Sequence, residues 1–85
     1  MKVLVLNGPN LNLLGSREPE VYGTDTLDDI QNRLTSLASE NSIQVSFYQS
    51  NSENDLINEL HNAKQDNVDY VIINPGAFTH TSIAL

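Results

Sequence analysis

The hydrophobic pattern changes period along the chain, and these changes constrain the fold more than any other feature. Apolar runs at 3–6 and 70–73, the second preceded by Val68, are typical of strands buried on both faces. Residues 43–48 alternate between apolar and polar, as expected of a half-exposed strand. Between these runs, apolar residues recur at helical spacing, at Leu27, Ile30, Leu34, Leu37 and Ala38 and then at Leu56, Ile57, Leu60 and Ala63. The predicted order is β-α-β-α-β.

Strands that alternate with helices pair in parallel through right-handed crossovers. The two continuous runs should be central and the alternating run should lie at an edge, which gives the strand order 2-1-3 that begins a flavodoxin-like, three-layer α/β sheet. With three strands alone, residues 71–73 would form an exposed apolar edge, and the chain ends soon after a third helix begins near Thr79. We therefore expect residues 1–85 to be a single domain that is the incomplete amino-terminal part of a larger fold.

Local signals place the helix starts and one long loop. Thr26 followed by Asp29 resembles a capping box, and either Ser52 or Asn51 suits the N-cap of the second helix. Residues 8–23 form a connection much longer than the usual βα loop of about 2–6 residues. Long βα loops of this kind commonly serve as lids or binding loops, so we expect 8–23 to cover a site.

Charge and composition narrow the function classes. Eleven acidic residues against four basic ones give a net charge of −7, which disfavours binding to nucleic acids or to anionic membranes. The charge remains compatible with an anionic small molecule as ligand. Because basic residues are few, Arg17 is of particular interest. The chain has no cysteine and no apolar run of the ~18 residues that span a bilayer, which fits a cytoplasmic protein.

The two most unusual segments follow the first and third strands. They are N-G-P-N-L-N-L-L-G at 7–15 and N-P-G-A-F-T-H-T-S at 74–82. Ligands of open parallel sheets bind beyond the carboxyl ends of the strands, where the strand order reverses, and here that point lies between these two strands. The sequence therefore predicts a small-molecule site where the two segments meet.

These segments, together with R-E-P-E-V-Y-G at 17–23 and Q-S-N-S-E at 49–53, resemble type II 3-dehydroquinate dehydratase along the whole chain. The resemblance implies a flavodoxin-like fold of five parallel strands, of which this chain matches the first three. It implies a hydro-lyase of the shikimate pathway that converts 3-dehydroquinate to 3-dehydroshikimate by anti elimination through an enolate. It further implies a cytoplasmic homododecamer, a tetramer of trimers, that needs no metal or organic cofactor.

The resemblance assigns the catalytic roles to three residues. Tyr22 is implied to be the proton acceptor, although a loop tyrosine on its own more often packs its ring. A phenol is mostly protonated at neutral pH, so a nearby cation must stabilise the phenolate, and Arg17 is the only basic residue in the loop. Asn12, otherwise a turn residue, is implied to hold a water that stabilises the enolate oxygen.

Four further residues are implied to bind substrate. Asn74 ends the third strand, where it could otherwise only close the turn, and Gly76 and Ala77 precede the third helix with amides suited to an anion. His80 opens that helix, whose N-terminus should favour the neutral imidazole. His61 is interpreted as an ordinary surface histidine.

The general acid is the main departure from the family pattern. The resemblance places it on a histidine beyond a fourth strand, which these 85 residues do not include, so we expect the chain alone to be inactive. Two alternatives remain open at this point. The chain could be a flavodoxin-like module for a flavin or nucleotide, although it lacks the G-x-G-x-x-G and P-loop patterns. It could also be an inactive fragment that lacks the general acid.

Overall fold

A computed structural model of the chain describes residues 1–15 and 23–76. In chain order the elements are β1 (Lys2–Asn7), a 3₁₀ helix η1 (Leu11–Leu13), α1 (Leu27–Glu40), β2 (Gln44–Gln49), α2 (Glu53–Gln65) and β3 (Tyr70–Asn74). The helix expected near Thr79 lies outside the described residues. None of the helices within the described ranges is long and apolar enough to cross a membrane.

The three strands form one parallel sheet in the order β2-β1-β3, which confirms the predicted topology. In the central strand β1, Val5 lies beside Phe47 of β2 and Ile72 of β3. Leu4, Val5 and Leu6 are buried, as the continuous apolar run predicted. The alternating strand β2 is half-exposed and lies at an edge, also as predicted.

The two helices cover opposite faces of the sheet. Leu4 and Leu6 of β1 pack with Ala63 of α2, next to Leu60 and Tyr48. The alternate β1 residues line a groove on the other face together with residues of α1. Because β1 lies between its two partners, the two crossovers run in opposite directions and right-handed geometry requires this three-layer arrangement.

The strand β3 differs from the expectation that it would be buried on both faces. All five of its residues are exposed, with Ile72 at 58% and Ile73 at 40%. Within the described residues β3 pairs only with β1, so its outer edge and much of both its faces stay uncovered. This is the exposed apolar edge that three strands alone predict.

Side chains and backbone fix the helix ends. The Thr26 hydroxyl accepts a hydrogen bond from the Asp29 amide, and the Asp29 carboxylate accepts one from the Thr26 amide, so the predicted capping box is confirmed. Ser52, not Asn51, caps α2. Both helices end in Schellman motifs although neither has a glycine there, because Ser42 and Asn67 take the left-handed conformation with φ of 57°.

Candidate active site at the carboxyl edge of the sheet

The loops that leave β1 and β3 are in direct backbone contact. The Gly8 amide donates a hydrogen bond to the Asn74 carbonyl oxygen at 2.8 Å. A methyl group at Gly8 would overlap the Pro75 carbonyl oxygen and lie 2.6 Å from its carbonyl carbon, so only glycine fits there. Gly76 takes the left-handed conformation with φ of 57°. A β-carbon added at Gly76 would lie 3.2 Å from the Pro9 carbonyl oxygen. The predicted junction of the two segments is therefore present.

A row of carboxamides lies across the carboxyl ends of the three strands. Asn7 of β1 is in register with Gln49 of β2 on one side and with Asn74 of β3 on the other. Asn7 is the buried polar residue of the described core, with 8% of its surface exposed. The Asn74 side-chain oxygen accepts a hydrogen bond from the Gly76 amide at 3.2 Å, which holds the turn after β3. A carboxamide can both donate and accept hydrogen bonds, which suits a site for a hydroxylated ligand.

Asn12 lies on η1, directly after the loop that touches β3. Asn10 is the N-cap residue of η1 and takes the left-handed conformation with φ of 65°, and the Leu13 amide donates to the Asn10 carbonyl oxygen. The Asn12 side chain is exposed. It borders a cleft of about 500 Å³ between η1 and the start of α1, lined also by Leu14, Gly15, Thr26, Leu27 and Asp28.

The amino end of α1 forms one side of this cleft, and the pKa of Asp29 in its first turn is lowered. Hydrogen bonds from the Thr26 backbone amide, and then from its side chain, hold the pKa of Asp29 below its usual value, with a smaller contribution from the charge of Arg33. Arg33 itself donates to the Asp25 carboxylate at 2.8 Å, an exposed ion pair.

The basic side chains of the described ranges are Lys2, Arg33 and Lys64. Lys2 begins β1 at the opposite edge of the sheet, where its ammonium donates to the Asp66 carbonyl oxygen. Lys64 is in the last turn of α2, and Arg33 is paired with Asp25. Of the four basic residues in the sequence, only Arg17 therefore belongs to the segment that follows β1 and the candidate site.

The structure therefore locates three of the predicted site residues at one edge of the sheet, namely Asn12, Asn74 and Gly76. The other four lie outside the described residues, namely Arg17, Tyr22, Ala77 and His80. Sequence reasoning gave no role to Gln49 and weighed Asn51 only as a helix cap. In the structure both side chains bond to the loop after β1. The Q-S-N-S-E segment was the signal that could have pointed to them.

A parallel sheet of order 2-1-3, with helices on both faces and polar groups where the strand order reverses, defines a flavodoxin-like α/β domain, and domains of this class bind their ligands at the carboxyl edge of the sheet. Comparisons with known proteins identify its family. Residues 1–85 match the model of the family described as dehydroquinase class II. The chain belongs to the class II dehydroquinase family.

Individual relatives agree with this assignment. The chain is 60% identical over 83 residues to a 3-dehydroquinate dehydratase of Polynucleobacter asymbioticus, covering 98% of this chain and 56% of that protein. It is 61% identical over 85 residues to that of Vesicomyosocius okutanii, covering 100% of this chain and 57% of that protein. The crystal structure of a type II dehydroquinase from Butyrivibrio crossotus superposes with a TM-score of 0.95 at 43% identity, covering 99% of this chain and 58% of that one. The chain thus spans little more than half the length of the relatives it matches.

Proposed function

We propose that the protein carrying this chain removes water from 3-dehydroquinate to give 3-dehydroshikimate, a step of the shikimate pathway. The observation that carries the proposal is the family match over all 85 residues. The proposal concerns the whole protein, because the chain covers 56% of the length of its dehydratase relative from Polynucleobacter asymbioticus. Family membership favours this reaction over the flavin- or nucleotide-binding alternative.

The reaction begins with removal of a proton from the carbon next to the substrate ketone. Tyr22 accepts this proton as the phenolate, and the C–H electron pair moves towards the ketone to form an enolate. Arg17 stabilises the phenolate and the negative charge that develops. The enolate then re-forms the ketone with a new carbon–carbon double bond, while the hydroxyl on the neighbouring carbon leaves on the opposite face. A histidine that the family resemblance places beyond a fourth strand supplies the proton that turns the leaving hydroxyl into water.

Asn12 holds the water that donates a hydrogen bond to the enolate oxygen. Its place on η1 supports this role, because Asn12 is exposed, borders the cleft between η1 and the start of α1, and follows the loop that contacts β3. Asn74, Gly76, Ala77 and His80 bind the substrate hydroxyls and carboxylate. The contact between the loops after β1 and β3 supports a shared site for Asn12 and Asn74.

The wider properties are proposed on the same basis. The enzyme works without a metal or organic cofactor, assembles as a homododecamer, a tetramer of trimers, and acts in the cytoplasm. Light scattering on the native protein should give a particle of about twelve subunits, and turnover should survive dialysis against a chelator. A smaller particle would contradict the dodecamer, and activity restored only by an added metal or cofactor would contradict cofactor independence. Neither result would contradict the assigned reaction.

The reaction is tested by incubating the native protein with 3-dehydroquinate and following the ultraviolet absorbance of the conjugated enone product. Tyr22→Phe removes only the phenolic oxygen and should lower kcat by at least about 100-fold, the usual range for losing a general base. Tyr70→Phe is the matched control, since Tyr70 is 63% exposed at the start of β3, at the edge opposite the site. Equal activity of both variants would refute the role of Tyr22, and no turnover by the parent would refute the reaction.

Arg17→Ala should lower turnover far more than it lowers the free energy of unfolding. Arg33→Ala is its control, because it removes the same charge from an exposed pair with Asp25. Turnover of Arg17→Ala within a few-fold of the parent would show that the assigned role is wrong.

A further inference from the structure

Two carboxamides at the end of β2 hold the loop that follows β1. The Gln49 side-chain nitrogen donates to the Gly8 carbonyl oxygen and to Asn51 Oδ1, both at 3.1 Å. The same Asn51 oxygen accepts the Asn10 backbone N–H at 3.0 Å. Gln49 and Asn51 therefore bind both ends of the short segment 8–10, and we call this pair the carboxamide clasp.

The segment that the clasp holds turns through a left-handed residue. Asn10 has φ of 65°, a region that asparagine adopts more readily than other non-glycine residues but less freely than glycine. Asn10 also lies at the N-cap position of η1, but its own side chain makes no capping hydrogen bond. The hydrogen bond from its backbone N–H to Asn51 therefore favours this turn, and η1 with Asn12 continues directly from it.

The loop is fixed from both neighbouring strands. The clasp binds it from the β2 side, while the Gly8 amide donates to the Asn74 carbonyl oxygen on the β3 side. The position and direction of Asn12, two residues beyond Asn10, follow from these contacts. We propose that Gln49 and Asn51 are positioning residues for the dehydration, because they place Asn12 where its water meets the developing enolate; this inference rests on the proposed function.

The clasp is not needed to cap α2, which is the simpler explanation for polar residues at this position. The Ser52 hydroxyl accepts the Asp55 amide at 3.3 Å. Ser50 Oγ accepts the Ser52 amide at 2.9 Å and donates to the Asp55 carboxylate at 3.2 Å. The start of α2 thus has its own network, and the side-chain hydrogen bonds of Gln49 and Asn51 go to each other and to the β1 loop.

Asn51→Leu in the native protein tests the proposal, because it keeps a similar volume and removes the oxygen that receives both donors. Misplacing a catalytic group by about 1 Å can cost about 100-fold in rate, so kcat for 3-dehydroquinate should fall by about 10- to 100-fold, with a smaller change in KM. Asn51→Asp keeps an acceptor oxygen in the same place and should stay within about threefold of the parent. Gln49→Glu places an oxygen against the Gly8 carbonyl and should lose at least as much as Asn51→Leu.

Asn41→Leu is the matched control. The Asn41 side chain donates to the Leu37 carbonyl oxygen at the end of α1, at the opposite edge of the sheet, so this variant loses a comparable hydrogen bond away from the loop. Its kcat should stay within about threefold of the parent even where its melting temperature falls as much as that of Asn51→Leu. A kcat loss that follows melting temperature in both variants would overturn the positioning role.

Amide hydrogen exchange at Asn10 separates the geometry from the reaction. We expect exchange at least tenfold faster in Asn51→Leu than in the parent, and restored protection in Asn51→Asp. Unchanged exchange, or kcat of Asn51→Leu within threefold of an active parent, would refute the inference. If Asn10 exchanges faster in Asn51→Leu but the parent does not turn over 3-dehydroquinate, the proposed function is refuted, and the positioning role with it. The clasp would then remain as a structural contact only.

Discussion

The loop junction at the carboxyl edge and the groove between α1 and the sheet are packed in opposite ways. At the junction, the backbones of the loops after β1 and β3 approach so closely that no methyl group fits at Gly8. The groove is a nearly apolar space of about 350 Å³ lined by Val3, Val5, Leu34, Leu37, Ala38, Asn41, Ile43, Val45 and Ile72. Leu37 and Ile72 there are 57% and 58% exposed.

The difference shows where the fold requires defined geometry. The junction carries the carboxamide row and the turn that leads to Asn12, so each backbone hydrogen bond there also fixes the direction of a site residue. The groove holds aliphatic side chains, whose contribution to the free energy of unfolding is proportional to the apolar area that they bury. Because this space is incompletely filled, it tolerates changes in side-chain volume. Substitutions that add or remove a few atoms should therefore have unequal effects in the two regions.

Gly8→Ala should have the largest effect, because it adds one carbon where the Pro75 backbone leaves no room. Backbone cannot turn aside as a flexible side chain can, so we expect the free energy of unfolding to fall by about 3 kcal/mol, the upper part of the overpacking range. Turnover should fall as well, since the Gly8–Asn74 hydrogen bond lengthens. Urea denaturation followed by circular dichroism measures the first effect and the enone assay the second.

Gly23→Ala is the control that measures the effect of replacing glycine by alanine where no steric overlap is expected. Among residues 1–15 and 23–76, no atom beyond its chain neighbours lies within 4 Å of a β-carbon at Gly23, but its φ of +82° is unfavourable for alanine. A loss of about 1–2 kcal/mol is expected from conformation alone. A Gly8→Ala variant no less stable than Gly23→Ala would show that the junction can open, and the contrast with the groove would fail.

Thr26→Ala tests how far α1 depends on its cap, given the loosely filled groove beneath it. The substitution removes the hydroxyl that accepts the Asp29 amide, and loss of an N-cap typically costs about 1 kcal/mol. Ser52→Ala at the start of α2 is the matched variant, since α2 packs Leu56 and Ala63 into the core. Hydrogen exchange in the first turn of each helix should rise more in Thr26→Ala than in Ser52→Ala. The reverse order would indicate that α1 is held by packing rather than by its cap.

Val5→Ile adds one carbon to the groove and is the counterpart of Gly8→Ala. Val5 is 8% exposed and borders the groove, so the added methylene finds apolar space. Burial of one methylene contributes up to about 0.8 kcal/mol, and we expect a gain of that size or less in urea denaturation. A loss of 1 kcal/mol or more would mean that other residues of the protein already fill the groove.

The regular elements could be predicted from the sequence because they depend on local patterns. The period of apolar residues placed β1, β2 and both helices, and the Thr26–Asp29 spacing identified the capping box. The exposure of β3 was not predictable from its apolar run alone, because such a run favours a buried strand but does not indicate which neighbouring elements cover it.

The meeting point of the loops after β1 and β3 was predictable, but the contacts within it were not. Topology and the two Asn-rich segments located the edge where Asn12 and Asn74 lie. The bond between Asn51 and the Asn10 amide joins residues far apart in sequence, and the left-handed turn at Asn10 carries no glycine to mark it. Local reasoning therefore considered Asn51 only as an alternative cap to Ser52, and Ser52 is the residue that caps α2.

The smallest expected effect is the acid sensitivity of the α1 cap. Hydrogen bonds from Thr26, first from its backbone amide, lower the pKa of Asp29 in the folded state. The unfolded chain therefore binds this proton more readily, so the stabilisation is complete above the usual aspartate pKa of about 4 and is lost as the pH falls through the lower folded value. Below about pH 4, the free energy of unfolding should fall more steeply in the parent than in Asp29→Asn. Equal slopes for the parent and Asp29→Asn would contradict the assignment.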